Sequence, residues 1–110
     1  MDDKEYAHLA DDALKHIETM LEDVDADDVD VERAGDVITL TFKDKRKCVI
    51  NTQRPTRQLW LAANARAWHF VYDAPTKTWL DEKGTGAELF AQIAAIVKTS
   101  AGLDVAASGR

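Results

Sequence analysis

The hydrophobic period of this chain changes twice, from 3.6 residues to two and back again, and that restricts the fold more than any other feature. Between residues 3 and 24, Tyr6, Leu9, Ala10, Ala13, Ile17, Met20, Leu21 and Val24 fall within a stripe roughly 100° wide when placed at helical spacing. That is the pattern of a helix with one buried face. Asp2, with Glu5 three residues on, supplies a cap for its start.

From residue 29 the period is two. Val29 and Val31 alternate with Asp30 and Glu32, and Ile38, Leu40 and Phe42 alternate with Thr39 and Thr41, with Ala34-Gly35-Asp36 turning the chain between them. Further short runs read KCVIN, RQLWLAA, AWHFVYD and TWL, broken by DKR at 44–46, by the Pro55 region and by Ala74-Pro75-Thr76-Lys77. Such spacing predicts an antiparallel meander. The helical period returns after Thr85-Gly86-Ala87-Glu88, which has the form of a capping box with Thr85 as cap. Leu89, Ile93, Ile96 and Val97 then share a face up to about Ser100, Gly102 is the stop, and the tail from about 103 to 110 is expected to fray. Two amphipathic helices and one sheet can bury their apolar surfaces only against each other. The expectation is an α+β two-layer sandwich, ordered helix, five or six antiparallel strands, helix, with both helices on one sheet face and the other face wet. At 110 residues the chain makes a single domain.

Charge is distributed unevenly. Residues 1–36 carry 14 Asp and Glu against 3 Lys and Arg, whereas residues 37–110 carry 6 acids against 11 bases, within an overall net charge of −6. The acidic part disfavours nucleic acid, which needs a basic footprint, and favours cations or a partner with a basic patch. No run approaches the roughly 18 apolar residues of a membrane span, and the acidic N-terminus lacks the form of a signal peptide. The chain is expected in the cytoplasm, without membrane partners, and its single cysteine, Cys48, agrees with a reducing compartment. Cys48 falls in phase with Ile50 and reads as a small buried hydrophobe.

Two surfaces stand out as candidate sites. On helix 1, Asp11, Glu18 and Glu22 stack in one column with Lys15, and Glu5, Asp12 and Asp23 form a second; EDVDADDVDVE continues the charge with Asp25, Asp27, Asp28 and Asp30. Counted as a calcium loop from Asp23, this stretch places acids at positions 1, 3 and 5 but has Asp28 at position 6 and Ala34 at position 12, so the EF-hand pattern fails. What remains is a set of hard oxygen donors suited to hard cations with modest affinity and partly aqueous coordination. His8 and His16 lie on or near the same helix and more commonly would be solvated. The second surface is the open sheet face, where strand phase turns Asn51, Gln53, Gln58, Trp60 and His69 away from the helices. A tryptophan among amides on an uncovered face suits a protein contact, or a ring packed flat on its neighbours. No catalytic triad order, phosphate loop or zinc spacing is present, and no catalytic residue is assigned.

LADDALKHIE and LEDVDADD in the first helix and loop, INTQRPTRQLWLA, the pair His69-Phe70, and Trp79 ahead of the last helix together resemble the frataxin family, and within it the bacterial CyaY branch. The resemblance runs from Tyr6 to about Val97. It implies iron handling and a role in iron-sulfur cluster assembly through contact with a cysteine desulfurase. With iron as the cation, the carboxylates read above, Asp11, Glu18, Glu22, Asp23, Asp25, Asp27, Asp28 and Asp30, are expected to bind it weakly and exchangeably. Partner contact would fall on Glu18, Glu22, Asn51, Gln53, Trp60 and His69. The expected protein is a non-enzymatic adaptor without organic cofactor, a monomer with iron-dependent oligomers left open. A ferroxidase that stores iron and a pure interaction module without metal are the alternatives; a di-iron centre normally uses Glu and Glu-x-x-His motifs facing into a bundle core. Two departures from the family pattern are Thr19, where relatives often carry an acid, and NARAW before His69, where they tend to carry glycine.

Overall fold

Short alternating segments joined by tight turns leave each strand free to pair with the next in sequence. The computed structural model, which describes residues 1–108, shows this arrangement. Helix α1 (Asp3–Met20) precedes strands β1 (Val29–Ala34), β2 (Val37–Phe42), β3 (Lys47–Gln53), β4 (Gln58–Ala63), β5 (Arg66–Asp73) and β6 (Thr78–Asp81), and helix α2 (Leu89–Ala101) closes the order. The strands form one antiparallel sheet in the order β1-β2-β3-β4-β5-β6. Register places Ile38, Ile50, Leu61 and Trp68 in one row, and Leu59 beside Phe70. All are buried, together with Tyr6, Ala10, Ala13, Leu14, Ile17 and Met20 of α1 and Leu89, Ile93, Ile96 and Val97 of α2. The α+β sandwich with one dry sheet face follows as expected.

Tyr6 locks the first helix to the sheet. Its hydroxyl donates to the Gln58 carbonyl at 2.7 Å and accepts from the Gln53 backbone N–H at 3.1 Å, where β3 and β4 separate around a single 3-10 turn at Arg54–Thr56. Burial raises the Tyr6 phenol above its ordinary pKa, so it keeps the proton that it donates.

Several local expectations are corrected. Helix α1 stops at Met20, not near 24, although Leu21 stays buried and Val24 packs on the core. Its last turn has no basic residue and runs into a string of carboxylates, which the negative helix C-terminus disfavours. Leu14, outside the predicted stripe, is fully buried, whereas Leu9 is only partly so. The capping box at Thr85 does not form. Glu88 is itself the cap of α2, accepting from the N–H groups of Phe90 and Ala91, each at 3.0 Å. The bond from Asp81 N–H to the Ala87 carbonyl (2.9 Å) and the bridge between Leu80 and Glu88 hold the chain extended up to the helix. Thr85 instead donates to Asp81 at 2.7 Å. Gly102 ends α2 in the left-handed conformation, φ 70°, as predicted. Beyond it the chain does not fray at once: Leu103 and Val105 pack against the core, and Lys98 pairs with Asp104 at 3.2 Å. The expected fraying of residues 109 and 110 lies outside the described residues.

NARAW forms a two-residue hairpin loop, Asn64-Ala65, between the paired residues Ala63 and Arg66. Both loop residues have positive φ, 53° and 61°, the geometry of a type I′ turn whose second position favours glycine. Ala65→Gly is expected to stabilise the protein by about 0.5 kcal/mol, relief of the left-handed alanine outweighing the added unfolded-state entropy. Thermal denaturation reads this as a rise of about 2–4 °C; an unchanged or lower midpoint would contradict the strain.

Candidate functional site

The candidate acidic residues separate into two groups and a single outlier once folded. Strand β1 turns Val29 and Val31 toward the helices, and Arg33, in the same phase, reaches α1. Its guanidinium bonds Asp11 at 2.7 Å and Glu18 at 3.0 Å, with its side chain only 20% exposed. Lys15 adds a second pair to Asp11 at 3.0 Å. Arg33, followed by Lys15, holds the Asp11 carboxyl below its usual range, and the two acids raise the guanidinium in return. Asp11 and Glu18 therefore face a counter-ion supplied by the chain itself. The helix column alone does not reveal this, because Arg33 comes from a strand 15 residues after Glu18.

The second group is the loop after α1. Glu22, Asp23, Asp25 and Asp27 are exposed there. The Asp25 carboxylate accepts from Asp27 N–H at 2.8 Å, and the Asp25 carbonyl accepts from the N–H groups of Asp28 and Val29, giving the loop a tight turn. Asp28 pairs with Lys43 at 3.4 Å. Asp30 belongs to neither group. It alternates with buried Val29 on β1, so it sits on the open sheet face opposite Thr41. Among the described residues no three His, Cys, Asp or Glu side chains converge as a closed metal cage. The exposed loop carboxylates are hard oxygen donors open to solvent.

His8 pairs with Asp12 at 3.3 Å on the helix surface. His16 leaves the acidic columns: its ring lies 4.1 Å from that of Phe90, and Nε2 donates to the Ala107 carbonyl at 2.7 Å, tying α1 to α2 and the tail. Cys48 is fully buried, and burial pushes its thiol up to about 12, which removes it from nucleophilic or ligand chemistry near neutral pH.

On the open face, register brings Asn51, Trp60 and His69 side by side on β3, β4 and β5. The Trp60 and His69 rings stack at 4.2 Å and 11°. Trp60 Nε1–H donates to Gln58 Oε1 at 2.8 Å, Gln58 Nε2–H donates to Glu82 Oε1 at 2.8 Å, and Glu82 Oε2 meets His69 Nδ1 at 2.8 Å. The four side chains close a ring. Gln58, predicted only to point outward, is nearly buried by it at 8% exposure, and Trp60 is left half-buried with its indole donor satisfied. Gln53 shares the face one row away, opposite Gln58. Glu82 is absent from the sequence candidates; its signal is its phase opposite to core-facing Asp81, but its partners lie 13 and 24 residues away. Bonds from Gln58, then from His69, hold its carboxyl below the usual range. A cleft of about 710 Å³ opens beside the ring, between His69, Glu82 and the loop into α2.

A family model described as the frataxin-like domain matches residues 1–103. A relative from Delftia acidovorans, named iron-sulfur cluster assembly protein CyaY, is 38% identical over 114 residues and covers all of both chains. One of the same name from Pseudoalteromonas atlantica is 42% identical over 90 residues, covering 82% of this chain and 80% of its own. The solved frataxin of Psychromonas ingrahamii is similar at a TM-score of 0.87 and 31% identity, covering 97% of this chain and 98% of that one. Trimeric frataxin of Saccharomyces cerevisiae in its ferrous complex is similar at 0.72 and 29%, covering 86% and 87%.

Asp11 and Glu82 are depressed in the folded state, so the stability they contribute is fully present above the ordinary carboxylate range and is lost as pH falls through their lower folded values. Arg33→Gln removes the largest cause at Asp11. The variant is expected to melt lower at pH 7 but to lose less on acidification from pH 5 to 3, so that its midpoint converges on that of the parent; parallel curves would show that the clamp carries no proton linkage.

Proposed function

The chain belongs to the frataxin-like family, and from that premise we propose that it is a non-enzymatic, iron-binding adaptor of iron-sulfur cluster assembly that contacts the cysteine desulfurase. The observation that carries the partner contact is Trp60, held by its ring of neighbours with one part of the indole outward on a sheet face that no helix covers. A large aromatic that is already ordered loses little conformational entropy when a partner covers it, which suits an interface anchor. Support for the assembly role comes from relatives that carry that name over the whole chain, and support for ferrous iron as cargo comes from the yeast frataxin complex.

The acidic side has a division of labour in this reading. Asp11 and Glu18 are engaged by Arg33, so the first iron goes to the loop, where Asp23, Asp25 and Asp27 stand exposed beside Glu22. Hard oxygen donors without a cage give weak, exchangeable binding, as a carrier requires. The same exposed carboxylates steer the protein toward a basic patch on the desulfurase, so iron and partner compete for them. Trp60 then sets the orientation.

Trp60→Ala is expected to keep the melting temperature within a few degrees of the parent and to weaken desulfurase binding by tenfold or more in calorimetry; unfolding of the variant, or unchanged affinity, would count against the assignment of this face. An NMR titration with ferrous iron should move resonances of residues 22–28 before those of Asp11 and Glu18, and should raise the melting temperature. Iron that first perturbs Asp11, or leaves the loop unmoved, would reverse the order of sites.

A further inference from the structure

The ring around Trp60 contains a chain of hydrogen bonds whose directions can be assigned from chemistry alone. An indole N–H only donates and a carboxylate only accepts. Gln58 lies between them, so its amide has one possible orientation: Oε1 to Trp60 and Nε2 to Glu82. The same carboxylate faces His69 Nδ1 at 2.8 Å, and because it accepts, Nδ1 must carry the proton. In the neutral imidazole this leaves Nε2 as an unprotonated acceptor, and no partner for Nε2 exists among the described residues.

We infer that Glu82 is the positioning residue of the Trp60 surface: by holding the Gln58 amide and the Nδ1–H tautomer of His69, it presents an indole plane flanked by a hydrogen-bond acceptor, His69 Nε2. The partner group that fits is a planar N–H donor of the guanidinium type, able to donate to Nε2 while lying against the electron-rich indole. The net charge of −6 on the chain favours the same positive charge in a partner. The binding half of this inference rests on the proposed use of the sheet face; the tautomer half does not.

Glu82→Gln separates the two. The side-chain amide it introduces has one acceptor end and one donor end. If its carbonyl keeps the bond from Gln58, its NH2 faces His69 Nδ1, which must then accept, and the ring proton moves to Nε2. In the free protein with neutral imidazole, 15N and 13C shifts of the His69 ring are expected to report the Nδ1–H tautomer in the parent and Nε2–H in the variant, with the Trp60 indole N–H resonance little changed. A simple structural role would alter stability without switching the tautomer. An Nε2–H tautomer in the parent, or no change on substitution, overturns the inference. Desulfurase affinity is expected to fall about tenfold in Glu82→Gln. If Trp60→Ala weakens binding but Glu82→Gln does not, the acceptor role of Nε2 is wrong. If neither does, it is the use of the sheet face that fails, and the tautomer measurement still decides what Glu82 does.

Discussion

Burial of one face of the meander under both helices is the interaction on which the rest of the molecule depends. Six strands paired in sequence order expose two faces, and the apolar stripes of α1 and α2 are enough to dry one. Once Ile38, Ile50, Leu61 and Phe70 are committed to that side, the two-residue repeat of a strand assigns every neighbour to the other. Asn51, Trp60 and His69 are outward because the residues between them are inward. The Tyr6 hydroxyl makes the commitment specific, since it satisfies two backbone groups where β3 and β4 part and fixes how α1 lies on the sheet.

The charge on the first helix looks different in three dimensions from its appearance in a linear count. A row of carboxylates suggests mutual repulsion relieved by an external cation. The fold already relieves part of it from within, because Arg33 projects from the edge strand between Asp11 and Glu18. Most of the candidate carboxylates outside this clamp lie in the loop that follows the helix, where the tight turn at Asp25 displays them without closing a cage. Asp30, one residue past the core-facing Val29, is carried to the other side of the sheet altogether.

The open face follows a different logic. A half-buried tryptophan on a wet sheet has to satisfy its N–H and restrain its ring, and the chain meets both needs with three polar residues drawn from β4, β5 and the position just past β6. Each donor and acceptor in that ring has one compatible direction. The surface is thus preorganised without help from the core, and its chemistry depends on Glu82, which touches the indole only through others.

Periodicity and local residue chemistry determined by themselves the order of elements, the meander, most of the buried face of each helix, the outward phase of Trp60, the buried state of Cys48 and the stop at Gly102. These are properties of residues a few positions apart, so spacing in the chain is spacing in the structure. Where α1 ends, which residue caps α2 and how far the tail packs were decided by tertiary contacts: the bond from Asp81 to Ala87 keeps Thr85 out of the helix, and His16 with the core holds residues past Gly102. The same holds for the Arg33 clamp and the bonds to Glu82. Their partners are separated by 13 to 24 residues along the chain, and an ion pair or hydrogen bond is set by a few tenths of an ångström between side chains, which only the folded sheet brings within reach.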